Sequence, residues 1–139
     1  MFETVLLPVD LGHEESWRKA LPLADELRGK TGALHILAVL PDFGESIVSS
    51  FFPSDFKENA LNEVDAALRA FIEGKNLDRT TPHVGYGHVA EAILGAAGRV
   101  GADLIVMASH PPDELRSILI GSQAGKVVRH AAIPVLVAR

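Results

Sequence analysis

The sequence predicts an α/β protein: a five-stranded parallel sheet with helices on both faces. Five short runs rich in Val, Leu and Ile recur along the 139 residues and mostly do not alternate with polar positions. Strands read this way when helices cover both of their faces. Segments with helical spacing lie between the runs, and alternating strand and helix calls for right-handed crossovers and a parallel sheet. Hydrophobic residues make up 47% of the chain, enough for a full core. There is no internal repeat, linker or low-complexity tract, so one domain over residues 1–139 is expected.

The strands are placed at "TVLLPV" (4–9), "ALHILAVL" (33–40), "TPHVGY" (81–86), "DLIVMA" (103–108) and "PVLVA" (134–138). The first helix is placed at 14–30, with Trp17, Ala20, Leu21, Ala24 and Leu27 on one face and Gly29 or Gly32 closing it. Pro22 lies inside it and predicts a kink or a late start. The second, at 54–73, carries Ala60, Leu61, Val64, Ala67, Leu68, Phe71 and Ile72 at helical spacing. The third is the small-residue segment "HVAEAILGAAGRV" (88–100). The last, at 122–131, turns Ala124, Val127, Val128 and Ala131 inward. The stretch 41–56 is too long for a tight turn and reads as a loop over the carboxyl edge of the sheet.

Composition removes several function classes. A net charge of −5 argues against a surface built on bulk charge for nucleic acid or acidic membrane. With no cysteine, a disulfide scaffold, a zinc–thiolate site and a cysteine nucleophile are out, which fits a reducing cytoplasm. The opening "MFETVLLPVD" has Glu3 and no basic leader, and Pro8 breaks its apolar run, so no signal peptide is expected. No run approaches the roughly 20 apolar residues of a membrane span. The six histidines show no metal-site spacing.

In open parallel sheets, ligands sit beyond the carboxyl ends of the strands, where the strand order reverses. This directs attention to Pro8, Val9 and Asp10, to residues 39–41, to residues 85–88 and to residues 107–122. "GSQAGKV" (121–127) is not a Walker loop: three residues, not four, separate its glycines, and Val127 follows the lysine. "GYGHVA" (85–90) fits a dinucleotide pattern in the wrong place, after the third strand. Tight turning at Gly87 and close helix–sheet packing explain it better. Asp10 reads equally as a solvated helix-start residue and as an acceptor for a sugar hydroxyl or partner of a bound cation. Gly121-Ser122 reads as a helix start, where Ser is a good N-cap and free N–H groups favour an anion.

Taken together, "TVLLPVDL", "GHVAEAILGAAGRVGADLIVMAS" and "LIGSQAGKVVRHAAIPVLVAR" resemble the universal stress proteins of the UspA superfamily along essentially the whole chain. The resemblance implies the strand order 3-2-1-4-5 and a homodimer made through the last strand. Many members bind ATP, in some cases with magnesium, through G-x-x-G, nine residues, then G-[S/T]. Here the second half falls on Gly121-Ser122, and the first two glycines are replaced by Ala108 and Pro111. Ala108 adds a methyl group, and Pro111 fixes φ and removes a donor. A variant with "SH" and a following Pro also occurs in nucleotide-binding members, and His110 offers a replacement polar group. The resemblance places Pro8, Val9, Asp10, Val39 and Met107 about the adenosine, and Gln123 and Ala124 beside the phosphates.

The resulting expectation is a cytoplasmic stress-response regulator that binds ATP or a related adenine nucleotide, without an obvious catalytic base. One alternative is a nucleotide-free dimeric partner-binding module. Another is a slow ATP-hydrolysing or adenylating enzyme, against which "PVDLGHEES" stands: the S-G-G-x-D-S-type loop of the related ATP-pyrophosphatases is missing after strand one.

Overall fold

The computed structural model describes residues 1–40, 55–109 and 123–139. In chain order it shows β1 (Thr4–Val9), a 3₁₀ turn (Glu14–Ser16), α1 (Ala20–Arg28), β2 (Ala33–Leu40), α2 (Phe56–Gly74), β3 (Thr80–Tyr86), α3 (Val89–Val100), β4 (Leu104–Ala108), α4 (Ala124–His130) and β5 (Val135–Ala138). The strands form one sheet in the order β3-β2-β1-β4-β5, with every pair parallel. The order reverses at β1, between β2 and β4.

That reversal is also where the sheet opens. The Glu3 carbonyl accepts from Ala33 N–H on the β2 side, and the Thr4 carbonyl accepts from Asp103 N–H on the β4 side. Backbone groups alternate along a strand, so even-numbered residues of β1 turn toward β4. Pro8 is one of them and has no N–H to give. The β1–β2 register runs through to Val9↔Ala38, whereas the β1–β4 register ends at Leu6↔Ile105.

Side-chain alternation builds a core on each face. Val5, Leu7 and Val9 meet α1 and α2 together with Leu34, Ile36, Val106 and Leu68. Leu6, Leu37, Ile105 and Met107 meet α3 and α4 through Ile93, Ala96, Ala97 and Val127. Gly85 shows why α3 is rich in small residues: a Cβ at Gly85 would stand 3.2 Å from that of Ala92. Gly87 turns the chain out of β3 at φ +104°.

Three expectations need revision. The segment 14–30 is not one helix. A 3₁₀ turn comes first and α1 starts at Ala20, leaving Pro22 in the first turn, where its missing N–H has no intrahelical partner to lose. Val128 does not face inward; it is 51% exposed while Val127 is buried, because α4 covers only the edge of the sheet. The last helix begins at Ala124 with Gln123 flanking it and no side-chain cap, and Ser122 lies outside the described residues.

Arg28 is a structural element the periodicity did not show. Its guanidinium is 2% exposed. It donates to Asp25 Oδ1 at 2.6 and 2.9 Å, to Asp78 Oδ1 at 3.2 Å and to the Arg79 carbonyl at 3.2 Å. It ties the end of α1 to the turn that enters β3, at the pole of the sheet opposite the carboxyl ends.

On the α3 face, His35 Nδ1 lies 2.7 Å from His83 Nε2. Burial lowers the pKa of both, with the His83 ring acting further on His35 and the Arg99 guanidinium on His83. A folded pKa below the unfolded one means the unfolded chain takes up more protons. The stability this pair contributes is present above the ordinary histidine value of about 6.5 and is lost as pH falls through the depressed values. Urea midpoints should therefore drop between about pH 7.5 and pH 5, and drop less in the His35→Gln/His83→Gln double variant. Equal drops would remove the pair from the account.

Candidate functional site

A cleft of about 330 Å³ opens at the carboxyl ends of β1 and β2. Its floor is Val9 and Asp10 from β1 and its exit, with Ala38, Val39 and Leu40 from β2; α2 forms one wall through Glu63, Val64 and Ala67, and Val89 at the start of α3 completes it. The local sequence makes this shape. β1 ends at Val9, and the chain turns sharply at Asp10, whose Oδ1 accepts the Gly12 N–H at 3.0 Å. The His13 N–H returns to the Asp10 carbonyl at 2.9 Å. Ser16, 1% exposed, clamps the same residue: its hydroxyl accepts from the Asp10 N–H and donates to the Asp10 carbonyl, both at 2.8 Å. The second carboxylate oxygen, Oδ2, lies 2.9 Å from His13 Nδ1.

The cleft brings together three of the residues picked out from sequence: Val9, Asp10 and Val39. The others are placed differently. Pro8 is buried within β1. Met107 and Ala108 are buried in β4, on opposite faces of the sheet, and Ala124 is buried at the start of α4; none of the three lines the cleft. Gln123 is half-buried beside α4. His110, Pro111, Gly121 and Ser122 lie outside the described residues. The α2 wall was missed. Ala67 shares the helical spacing of Leu61, Val64 and Leu68, yet it is exposed and lines the cleft. Glu63 stands one turn before it on the same face of α2, and nothing in that spacing separates a cleft wall from a core face.

The chemistry of the lining is one-sided. Among the described residues that line it, the polar side chains are the carboxylates of Asp10 and Glu63, and the rest are apolar or glycine. Such a site accepts N–H and O–H donors and repels anions. Among the described residues there is no group of three or more His, Cys, Asp or Glu placed to hold a metal ion. No helix among them is long and apolar enough to cross a membrane.

Comparison with known proteins adds the family. The universal stress protein family matches residues 1–139. Universal stress protein G of Escherichia coli O157:H7 is 34% identical over 144 residues, covering 100% of both chains. Among solved structures, hypothetical protein MJ0577 superposes with a TM-score of 0.78 at 24% identity, covering 99% of this chain and 96% of that one. The universal stress protein from Archaeoglobus fulgidus in complex with dAMP superposes with a TM-score of 0.57 at 21% identity, covering 100% and 98%. At these identities the two solved structures speak for the fold. The family match and the level of identity to universal stress protein G together show that this chain belongs to the universal stress protein family.

Proposed function

We propose that this chain is a stress-response regulator that binds ATP or a related adenine nucleotide. The nucleoside sits in the cleft, and the phosphates lie toward Gln123 and Ala124 at the start of α4. The observation that carries this reading is the cleft's composition among the described residues: apolar walls with two carboxylates. Apolar side chains suit the faces of a base, and the carboxylates accept from ribose hydroxyls or the amino group of adenine. The same carboxylates disfavour phosphate, which orients the ligand with its charged end outward. The volume lies at the lower end of the roughly 300–1,000 Å³ range of small-molecule sites, the size of a nucleoside rather than of a whole triphosphate. Its place beside the strand-order reversal is the usual one for this architecture. The dAMP complex of the Archaeoglobus fulgidus protein supports a ligand of the same class.

In this reading Pro8, Met107 and Ala108 belong to the sheet beside the nucleotide, and Gln123 and Ala124 offer backbone N–H groups to the phosphates, with magnesium bound through the nucleotide. The protein works in the cytoplasm as a homodimer. Support for the dimer comes from β5, the last strand of the sheet, where Val135, Leu136 and Val137 stay half-buried beside the exposed Val128. An apolar edge strand of this kind is usually covered, and a two-fold pairing covers it.

Isothermal titration tests the orientation. ATP should bind, adenosine should compete for the same site, and inorganic triphosphate should bind far more weakly than ATP. Triphosphate binding as well as ATP, with no competition from adenosine, would overturn this reading.

A further inference from the structure

The geometry points to His13 as a positioning residue for the ligand-facing carboxylate of Asp10. This rests on the nucleotide site proposed above and adds a residue that does not itself line the cleft. Among the described residues Asp10 is one of two carboxylates lining that cleft, and its side chain is 17% exposed. Its backbone is fixed on both sides by the Ser16 hydroxyl. Its Oδ1 takes the Gly12 N–H at 3.0 Å, and its Oδ2 faces His13 Nδ1 at 2.9 Å. A carboxylate oxygen has two acceptor positions, so each oxygen keeps one for a ligand after these bonds are made. The plane of the carboxylate is therefore set before any ligand arrives, and the cost of ordering it does not fall on binding.

The imidazole is dispensable for the turn itself. The Gly12 N–H, the His13 backbone N–H and Ser16 already close it. What the ring adds is a donor on Oδ2. Because the carboxylate only accepts, Nδ1 carries the proton and Nε2 is left as the free ring nitrogen of the neutral form. The ring is 35% exposed, which again argues that its contribution is to Asp10 and not to the core.

Two variants separate positioning from bulk structure. Asn Nδ2 stands the same number of bonds from the backbone as His Nδ1, so His13→Asn keeps the donor and His13→Ala removes it. With circular dichroism and urea midpoints confirming the fold of both, His13→Ala should bind ATP about tenfold more weakly, equivalent to about 1.4 kcal/mol. His13→Asn should stay within about twofold of the parent, well inside that tenfold step. For 2′,3′-dideoxy-ATP, which lacks the ribose donors, the parent and His13→Ala should bind alike. Unchanged ATP affinity in His13→Ala overturns the inference. So does equal loss in both variants, or equal loss for the dideoxy analogue. Failure of the parent to bind ATP at all would instead overturn the nucleotide site, and this inference with it.

Discussion

Ala67→Trp should abolish most nucleotide binding while leaving the fold intact. Ala67 is exposed on α2 and faces the cleft across from the ends of β1 and β2. An indole placed there fills space that the nucleoside needs, and solvent on the other side of the helix leaves the core undisturbed. Tryptophan costs only a few tenths of a kcal/mol in helix propensity relative to alanine. The ATP affinity should fall at least about 100-fold, or about 2.7 kcal/mol, with the circular dichroism spectrum unchanged. Titration calorimetry measures this directly. Parent-like affinity in the Trp variant would place the nucleotide outside the cleft.

Leu7→Ala should have the largest effect on stability. Leu7 is fully buried in the central strand and packs with α1 and α2. Truncation removes the transfer energy of the side chain and leaves a cavity, together about 3 kcal/mol. For a chain of 139 residues, this lowers the melting temperature by roughly 10 °C. Because Leu7 does not line the cleft, folded Leu7→Ala protein should keep parent-like affinity. A loss of less than about 1 kcal/mol would mean that this face is packed more loosely than described.

These two effects also mark what can be read from sequence and what cannot. β1, β2 and β4 were legible because burial on both faces gives runs dominated by Val, Leu and Ile, whereas β3, with Thr, Pro and His and no buried residue, carried a weaker pattern; the observed bounds of all five strands differ from the expected ones by a residue at most. Pro22 left a kink or a late start open for the first helix, and the structure shows the late start, at Ala20. The exposure of Val128 was not legible: Val127 and Val128 look alike locally, and only the position of α4 at the edge of the sheet separates them. The same holds for Arg28, whose acceptors at Asp78 and Arg79 lie about 50 residues away.

The candidate site divides along the same line. Val9, Asp10 and Val39 were found because they end strands, and strand ends are visible in the pattern. The α2 wall was not found, since the angle at which that helix crosses β1 and β2 decides whether Ala67 is core or cleft. His13 shares with the other histidines a lack of metal-site spacing and has no other mark in the sequence. Its spacing to Asp10 gives no sign that the turn between them would bring ring and carboxylate within 2.9 Å.

The central claim is that the cleft at the ends of β1 and β2 receives the nucleoside end of the ligand. A crystal structure of the protein grown with ATP and magnesium tests it most directly. The account predicts adenosine between Asp10, Val39 and Ala67, with the triphosphate running outward to Gln123 and Ala124. A nucleotide bound elsewhere, with only water between Asp10 and Ala67, would contradict it.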